Sequence, residues 1–320
     1  MIINAKSSFT ANEGLPAKLL SLISVGPNGK IYPRHAELNP TNRCDLSCEL
    51  CGCKKRDMKA ELPFEDAKQA LYMLKDLSCK AITITGGGEP LLYPQINELI
   101  ECAASLDIKI GIMTNGRHIH RLLHSWPTWI RISYSDCRNE GPEFFETMGK
   151  AANASPGTDW SFSYIMTRYP DYEKLKVITS FAADHNFGHI RIKPNTLDFN
   201  YALPVDEIKE RLSNVPGSDL VIYQENKPFT IGHPKCLIGL LIPNIGADGN
   251  IYPCCGVEYA DEEPSLDYPL KTSLGNWKNL RNIIEEQKYF DGSNCHHCYY
   301  NNYNLVLNAM TQNLKHVDFL

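Results

Sequence analysis

The sequence predicts an α/β protein: a partial (β/α)6 TIM-like barrel with a small α+β C-terminal module. Three observations carry this. Between residues 35 and 195, short β-rich runs alternate with amphipathic helical stretches, and β-α units in series imply a parallel sheet with right-handed crossovers. The alternation stops near residue 198. Shorter mixed segments with further cysteines follow. The expected division is an N-terminal extension over 1–34, the barrel over 35–198 and the module over 199–320.

The strands expected in the barrel are His35–Asn39, Ala81–Thr85, Ile108–Met113, Trp129–Ser135, Ser161–Thr167 and His189–Pro194. A helix follows Pro63, with Phe64, Ala67, Leu71 and Leu74 at helical spacing. A second puts Ile96, Leu99, Ile100, Ala103 and Ala104 on one face. A third carries Leu175, Ile178, Ala182 and His185, and Gly188 is its expected C-terminal cap. In such a barrel the site lies on loops at the C-terminal ends of the strands. Beyond residue 198 we expect a helix over 206–212, a strand over 220–224 and a hairpin. The hairpin joins Leu240–Ile245 to Ile251 and Tyr252 through a turn at Asp248-Gly249. A helix over 277–289 precedes a final cysteine pair and a tail.

With 43% hydrophobic and 22% charged residues, the composition is that of an ordinary globular protein. A net charge of −5 gives no case for wide contact with a nucleic-acid backbone. No apolar run approaches the roughly 20 residues of a membrane span, and the first ten residues lack the apolar core of a signal peptide. A cytoplasmic protein without membrane contact is expected. Twelve cysteines then point to metal or redox chemistry rather than disulfides. The dispersed Cys79, Cys102 and Cys137 read as buried small hydrophobes.

Cys44, Cys48 and Cys51, spaced C-x3-C-x2-C, follow the first strand directly. Three thiolates on one loop can hold three corners of an iron–sulfur cube and leave one iron open. Structural zinc is the competing interpretation, but it prefers four ligands, often in two separated C-x2-C pairs. The run Thr41-Asn42-Arg43-Cys44-Asp45-Leu46-Ser47-Cys48-Glu49-Leu50-Cys51 resembles the signature of the radical S-adenosylmethionine (SAM) superfamily. Leu50 departs from it, because an aromatic residue usually stands before the third cysteine. The resemblance implies a [4Fe–4S] cluster with an open iron, SAM chelated there, and a 5′-deoxyadenosyl radical that takes a hydrogen atom from substrate. It also implies a flavodoxin- or ferredoxin-type reductant.

The same resemblance extends to Gly86-Gly87-Gly88-Glu89-Pro90 after the second strand. There Gly87 and Gly88 would let backbone approach SAM, and Glu89 would receive its ammonium group. Asn115 in Thr114-Asn115-Gly116, Ser133 and Ser135 on the fourth strand, Arg168 for the SAM carboxylate and Ile192 beside the adenine complete the implied SAM site.

Cys236, Cys254, Cys295 and Cys298 resemble the C-terminal twitch module, the shortened relative of the SPASM domain. That implies one auxiliary [4Fe–4S] cluster; four-cysteine zinc is again the alternative. His296 and His297 would tune or shield it. Cys255 beside Cys254, and Cys53 beside Cys51, could be hydrogen-atom donors or spectators. Candidate bases are Tyr134, Asp136, Asn195, Asp198 and Glu258.

The favoured reaction is dehydrogenation of a small polar or amino-acid-derived substrate, resembling twitch enzymes that oxidise a secondary alcohol. Alternatives are a redox-neutral isomerase or epimerase, with a modified nucleobase or nucleotide among the substrates, and a peptide maturase. The last is disfavoured because only some 34 residues precede the first strand. The non-enzyme alternative is a zinc-stabilised α/β binding module.

Overall fold

The computed structural model describes residues 29–123, 126–226, 229–260 and 270–312. Most of the expected N-terminal extension therefore lies outside the described residues.

Six parallel strands form the barrel: β1 (His35–Leu38), β2 (Ala81–Ile84), β3 (Lys109–Thr114), β4 (Trp129–Ser135), β5 (Asp159–Met166) and β6 (His189–Pro194). Four helices connect them: α1 (Phe64–Asp76), α2 (Ile96–Ser105), α3 (Pro142–Ala154) and α4 (Tyr172–Asp184). Helix α1 buries Ala67, Leu71 and Leu74 as their spacing predicts, with Ala70 beside them and Phe64 half-buried. Glu65 and Asp66 in its first turn and Lys75 in its last complement the helix dipole.

The expected cap at Gly188 is not used. Helix α4 ends on His185, and Asn186 takes the left-handed conformation at φ 55°. Ser78 and Asp107 do the same after α1 and α2, at φ 68° and 54°. Short polar side chains tolerate this region, so glycine was the wrong signal to follow here.

The rest of the chain comprises α5 (Val205–Leu212), β7 (Val221–Tyr223), β8 (His233–Cys236), α6 (Ile238–Leu241), β9 (Asn244–Ile245), β10 (Asn250–Tyr252), α7 (Cys255–Glu258), β11 (Gly275–Asn276), α8 (Leu280–Glu285), β12 (Phe290–Gly292) and α9 (Asn301–Met310). The hairpin turns at Gly249, φ 76°, as expected. Its first arm is shorter than expected, because Leu240 and Leu241 belong to α6. All four α6 residues are buried, and a uniformly apolar run carries no period that separates helix from strand. Of the helix expected over 277–289, only α8 and one preceding 3-10 turn form; Phe290 begins a strand.

The main sheet runs β11-β10-β9-β1-β2-β3-β4-β5-β6-β7 and is not closed. Strand β9 pairs parallel with β1, and β7 parallel with β6, so both barrel edges are extended by later chain. One sheet face is apolar and packs on the helices, with Leu38, Ile84, Ile112, Ile132, Phe162 and Ile190 all at 0% exposure. Alternation puts Glu37, Thr83, Gly111, Trp129, Arg131, Ser133, Ser161, Ser163 and Arg191 on the other face, the barrel interior. Gly111 is required there, because a Cβ on it would meet the Trp129 ring at 2.1 Å.

Candidate radical SAM site and cysteine-lined cavity

The Cys44 loop is a closed Ω-shaped excursion from the end of β1. Its ends are zipped by Leu62 N donating to Pro40 O at 2.9 Å and Asn42 N to Ala60 O at 3.0 Å. Glu61 accepts from Thr41 Oγ1 at 2.9 Å and pairs with Arg43 at 2.6 Å. Between those ends Cys44, Cys48 and Cys51 are partly or fully exposed, all as free thiols. The Cys53 thiol hydrogen-bonds Cys51, and with the nearby Arg56 guanidinium this pulls the Cys51 thiol down to about 5. Cys53 is correspondingly pushed up, by that bond first and by burial second.

The glycine run holds this loop. A Cβ on Gly88 would stand 2.1 Å from Arg43 O and 2.5 Å from Asn42 C; one on Gly87 would stand 2.4 Å from Asn42 Oδ1. Glu89 N donates to Arg43 O at 2.7 Å. The close approach these glycines permit is thus to the cysteine loop itself. Glu89 is 2% exposed and accepts from Thr114 Oγ1 at 2.5 Å, Asn115 N at 2.6 Å and Leu91 N at 3.0 Å. Its carboxylate joins the β2 and β3 loops. Asn115 is committed too, donating to Asp45 Oδ1 at 2.8 Å beside Cys44.

Other sequence candidates land elsewhere. Arg168 is exposed and forms a fork with Asp198, at 2.5 and 2.9 Å. That bond holds the Asp198 carboxyl below its ordinary range, which disfavours it as a base. Asp136 accepts from Tyr164 Oη and Thr167 N, both at 2.6 Å, and from Asp171 N at 3.0 Å, so it clamps the β4 and β5 ends together. Tyr134 is not at the barrel mouth. It is 3% exposed on the helix-facing side, stacked on Tyr164 with Arg138 over its ring at 4.9 Å. Ile192 is fully buried on that side as well, in register with Tyr164, and does not line an interior adenine pocket. Asn195 shapes a turn by accepting from Leu197 N at 3.1 Å. Ser133 does face the interior. Of the dispersed cysteines, Cys79 is buried as expected, whereas Cys137 is exposed.

Glu258 belongs to a buried knot between the two parts of the chain. Its Oε2 accepts from Asn39 Nδ2 and Asn244 Nδ2, both at 2.6 Å, and Asn39 Nδ2 also reaches Tyr259 Oη at 3.1 Å. Burial pushes the Glu258 carboxyl up to about 7. Cys255 lies close enough to Cys53 for their charges to interact, whereas Cys254 does not face that way. Sequence reasoning missed Glu37, an interior carboxyl likewise raised to about 7 by burial; its strand position was the available signal.

Cys236, Cys254, Cys295 and Cys298 line one cavity together with Ile238, Pro253, Val257, Phe290 and Tyr300. It contains about 370 Å³ of atom-free space, counting its open mouth. Cys236 ends β8, Cys254 caps α7, and the last two lie between β12 and α9. Tyr300 N points at Cys298 Sγ at 3.2 Å and Asn304 Nδ2 at Cys236 Sγ at 3.4 Å. Four soft donors, an apolar wall and N–H···S contacts fit an iron–sulfur cluster. Among the described residues no three His, Cys, Asp or Glu side chains converge as a single-ion site. Cys255 is outside this wall and exposed. His297 stacks on Phe199 at 3.8 Å and His296 on Phe229 at 5.6 Å, which shields the Cys295–Cys298 loop.

An open parallel sheet, a three-cysteine loop on the end of its first strand and a glycine turn clamped beneath that loop define the class. Residues 38–146 match the radical SAM superfamily, and the chain carries a domain of that superfamily. A domain of that superfamily implies a [4Fe–4S] cluster and SAM. The chain is 27% identical over 147 residues to an S-adenosylmethionine-dependent nucleotide dehydratase of Flammeovirga pacifica, covering 42% of this chain and 49% of the relative. It is 40% identical over 78 residues to a 7-carboxy-7-deazaguanine synthase of Clostridium acetobutylicum, covering 23% and 34%. The match thus spans half or less of either relative's length. In fold, the chain is similar to Streptococcus suis SuiB bound to S-adenosylmethionine, with a TM-score of 0.59 at 17% identity, covering 83% of this chain and 68% of that one. No helix among the described residues is long and apolar enough to cross a membrane.

Proposed function

We propose that this chain is a radical SAM enzyme with two iron–sulfur sites, one on the Cys44, Cys48 and Cys51 loop and one in the cavity of Cys236, Cys254, Cys295 and Cys298. When bound, the first cluster and SAM supply a 5′-deoxyadenosyl radical for hydrogen abstraction, and the auxiliary cluster supplies a route for one electron. The observation that carries the reading is the convergence on one apolar cavity of four thiols from three separate stretches of sequence. The protein's part is positional. Gly87 and Gly88 seat the cysteine loop on the barrel rim, Glu89 ties the β2 and β3 loops beneath it, and Asn115 fixes Asp45 next to Cys44.

On this reading residues 35–198 are the catalytic barrel and 199–320 the auxiliary module, joined through the knot of Asn39, Asn244, Glu258 and Tyr259. A fully ligated auxiliary site favours dehydrogenation of a small polar or amino-acid-derived substrate. Glu37 replaces Tyr134, Asp136 and Asp198 as the preferred base, since its carboxyl faces the interior and titrates near neutrality. A nucleotide substrate is the second reading, supported by the likeness to the nucleotide dehydratase. Anaerobic reconstitution tests the proposal: about eight irons per chain are expected, falling to about four when either cysteine set is replaced by alanine. Tightly bound zinc and no iron in both sets would overturn it.

A further inference from the structure

Two guanidinium groups stand inside the barrel with no carboxylate counter-ion among the described residues. Arg131 on β4 is 8% exposed, and its Nε has no hydrogen-bond partner. Its guanidinium lies over the Trp129 ring, 5.1 Å from the centroid. Arg191 on β6 donates from Nη2 to Ser163 Oγ at 3.2 Å, and its Nε is buried and unpartnered. Among the described residues no carboxylate lies within 4.0 Å of either group. The two arginines belong to strands that flank β5 and share its interior face, in register with Ser161 and Ser163. They are near enough to repel one another, and burial followed by that repulsion pulls Arg131 down to about 9. Tyr299 faces Arg191, but burial pushes its phenol up, so it brings no negative charge.

Isolated buried cations are expensive to keep, and a fold retains two on one interior face when something else neutralises them. The planar fork of arginine suits an oxyanion of two or three oxygens. We propose that Arg131 and Arg191, with the Ser163 hydroxyl, form a binding site inside the barrel for an anionic group of the substrate, a phosphate or a carboxylate. This rests on the barrel being the catalytic chamber of a radical SAM enzyme. Both arginines sit in the body of their strands, away from the Cys44 loop, the glycine turn and the Asn115 turn at the strand ends. Ser163 and Arg191 stand in register with Ser133, so the anion site adjoins the ribose side of the implied SAM site while lying apart from the Cys44 loop.

The test is titration of the reconstituted protein with inorganic phosphate and, in parallel, with malonate, followed by thermal unfolding and calorimetry. Saturable binding of one or both is expected, and the tighter of the two identifies the anion. Arg131→Met and Arg191→Met should each weaken it by about tenfold or more, and Ser163→Ala by a few-fold. Arg138→Met is the control, since that guanidinium already pairs with Glu140 at 2.9 Å. SAM affinity, measured by equilibrium dialysis, should stay within about twofold in Arg131→Met, Arg191→Met and Ser163→Ala. No binding of either anion, unchanged binding in the variants, or loss of SAM affinity in step with anion affinity would overturn the inference. If the methionine variants do not fold, undiminished anion binding by Ser163→Ala overturns it. Absence of SAM cleavage in the wild type would strike the radical reading alone and leave the anion titration to stand by itself.

Discussion

Replacing Gly88 by alanine should detach the cysteine loop without unfolding the barrel. The new Cβ would stand 2.1 Å from Arg43 O, 2.5 Å from Asn42 C and 2.7 Å from Arg43 C. All three obstacles are backbone atoms, so no side chain can swing away. Overpacking of this kind costs about 1–3 kcal/mol. Displacement also breaks the 2.7 Å bond from Glu89 N to Arg43 O, worth about 1 kcal/mol more. The sum of about 2–4 kcal/mol falls on one clamp of a loop that can lift locally. The expected outcome is loss of about half the iron after anaerobic reconstitution, with the auxiliary cluster intact and Tm lowered by only a few degrees. Gly52→Ala is the internal control, because a Cβ there meets nothing within 4 Å. Full iron content in Gly88→Ala, or equal losses in both variants, would refute the argument that the glycine run seats the loop.

Three further outcomes follow from the same geometry. Cys254→Ala should abolish about half the iron, whereas Cys255→Ala should leave iron content unchanged, since Cys255 lies outside the cavity wall. Glu37 is raised by burial from 4.5 to about 7, so its folded form holds the proton more tightly. Its contribution to stability is complete below about pH 4.5 and is lost as pH rises through 7, by at most about 3 kcal/mol. Glu37→Gln should therefore remove part of the wild type's stability loss between pH 5 and 8, read from urea midpoints; an unchanged slope would argue against a buried carboxyl there. Gly111→Ala places a Cβ 2.1 Å from Trp129 Cε2 and Cζ2, and should cost about 1–3 kcal/mol with a shift in tryptophan emission.

Local patterning made the barrel legible. Alternating apolar residues located all six strands to within two residues at each end, because the helix-facing side must be buried and periodicity records that demand. The cysteine sets were legible because their chemistry depends on residue type and spacing. What spacing could not convey was which partner claims a residue. Face was legible: β4 and β6 form where expected, and alternation along them already puts Tyr134 and Ile192 on the apolar face, one pleat away from the interior. Asp136, Glu89 and Arg168 sit at strand ends as expected, but each is bound to groups distant in sequence. Helix α9 was missed since its buried Tyr303, Asn304 and Leu307 include a polar residue that packs only because Asn304 meets Cys236 and Leu237 N.

Radical generation at the Cys44 loop is the central claim. The direct measurement is formation of 5′-deoxyadenosine from SAM by the anaerobically reconstituted, chemically reduced protein. Reductant-dependent product is expected from the wild type, from Arg131→Met and from Cys255→Ala, and none from Cys48→Ala. A fully loaded wild-type protein that yields no 5′-deoxyadenosine, or a Cys48→Ala variant that yields as much, would contradict the central claim.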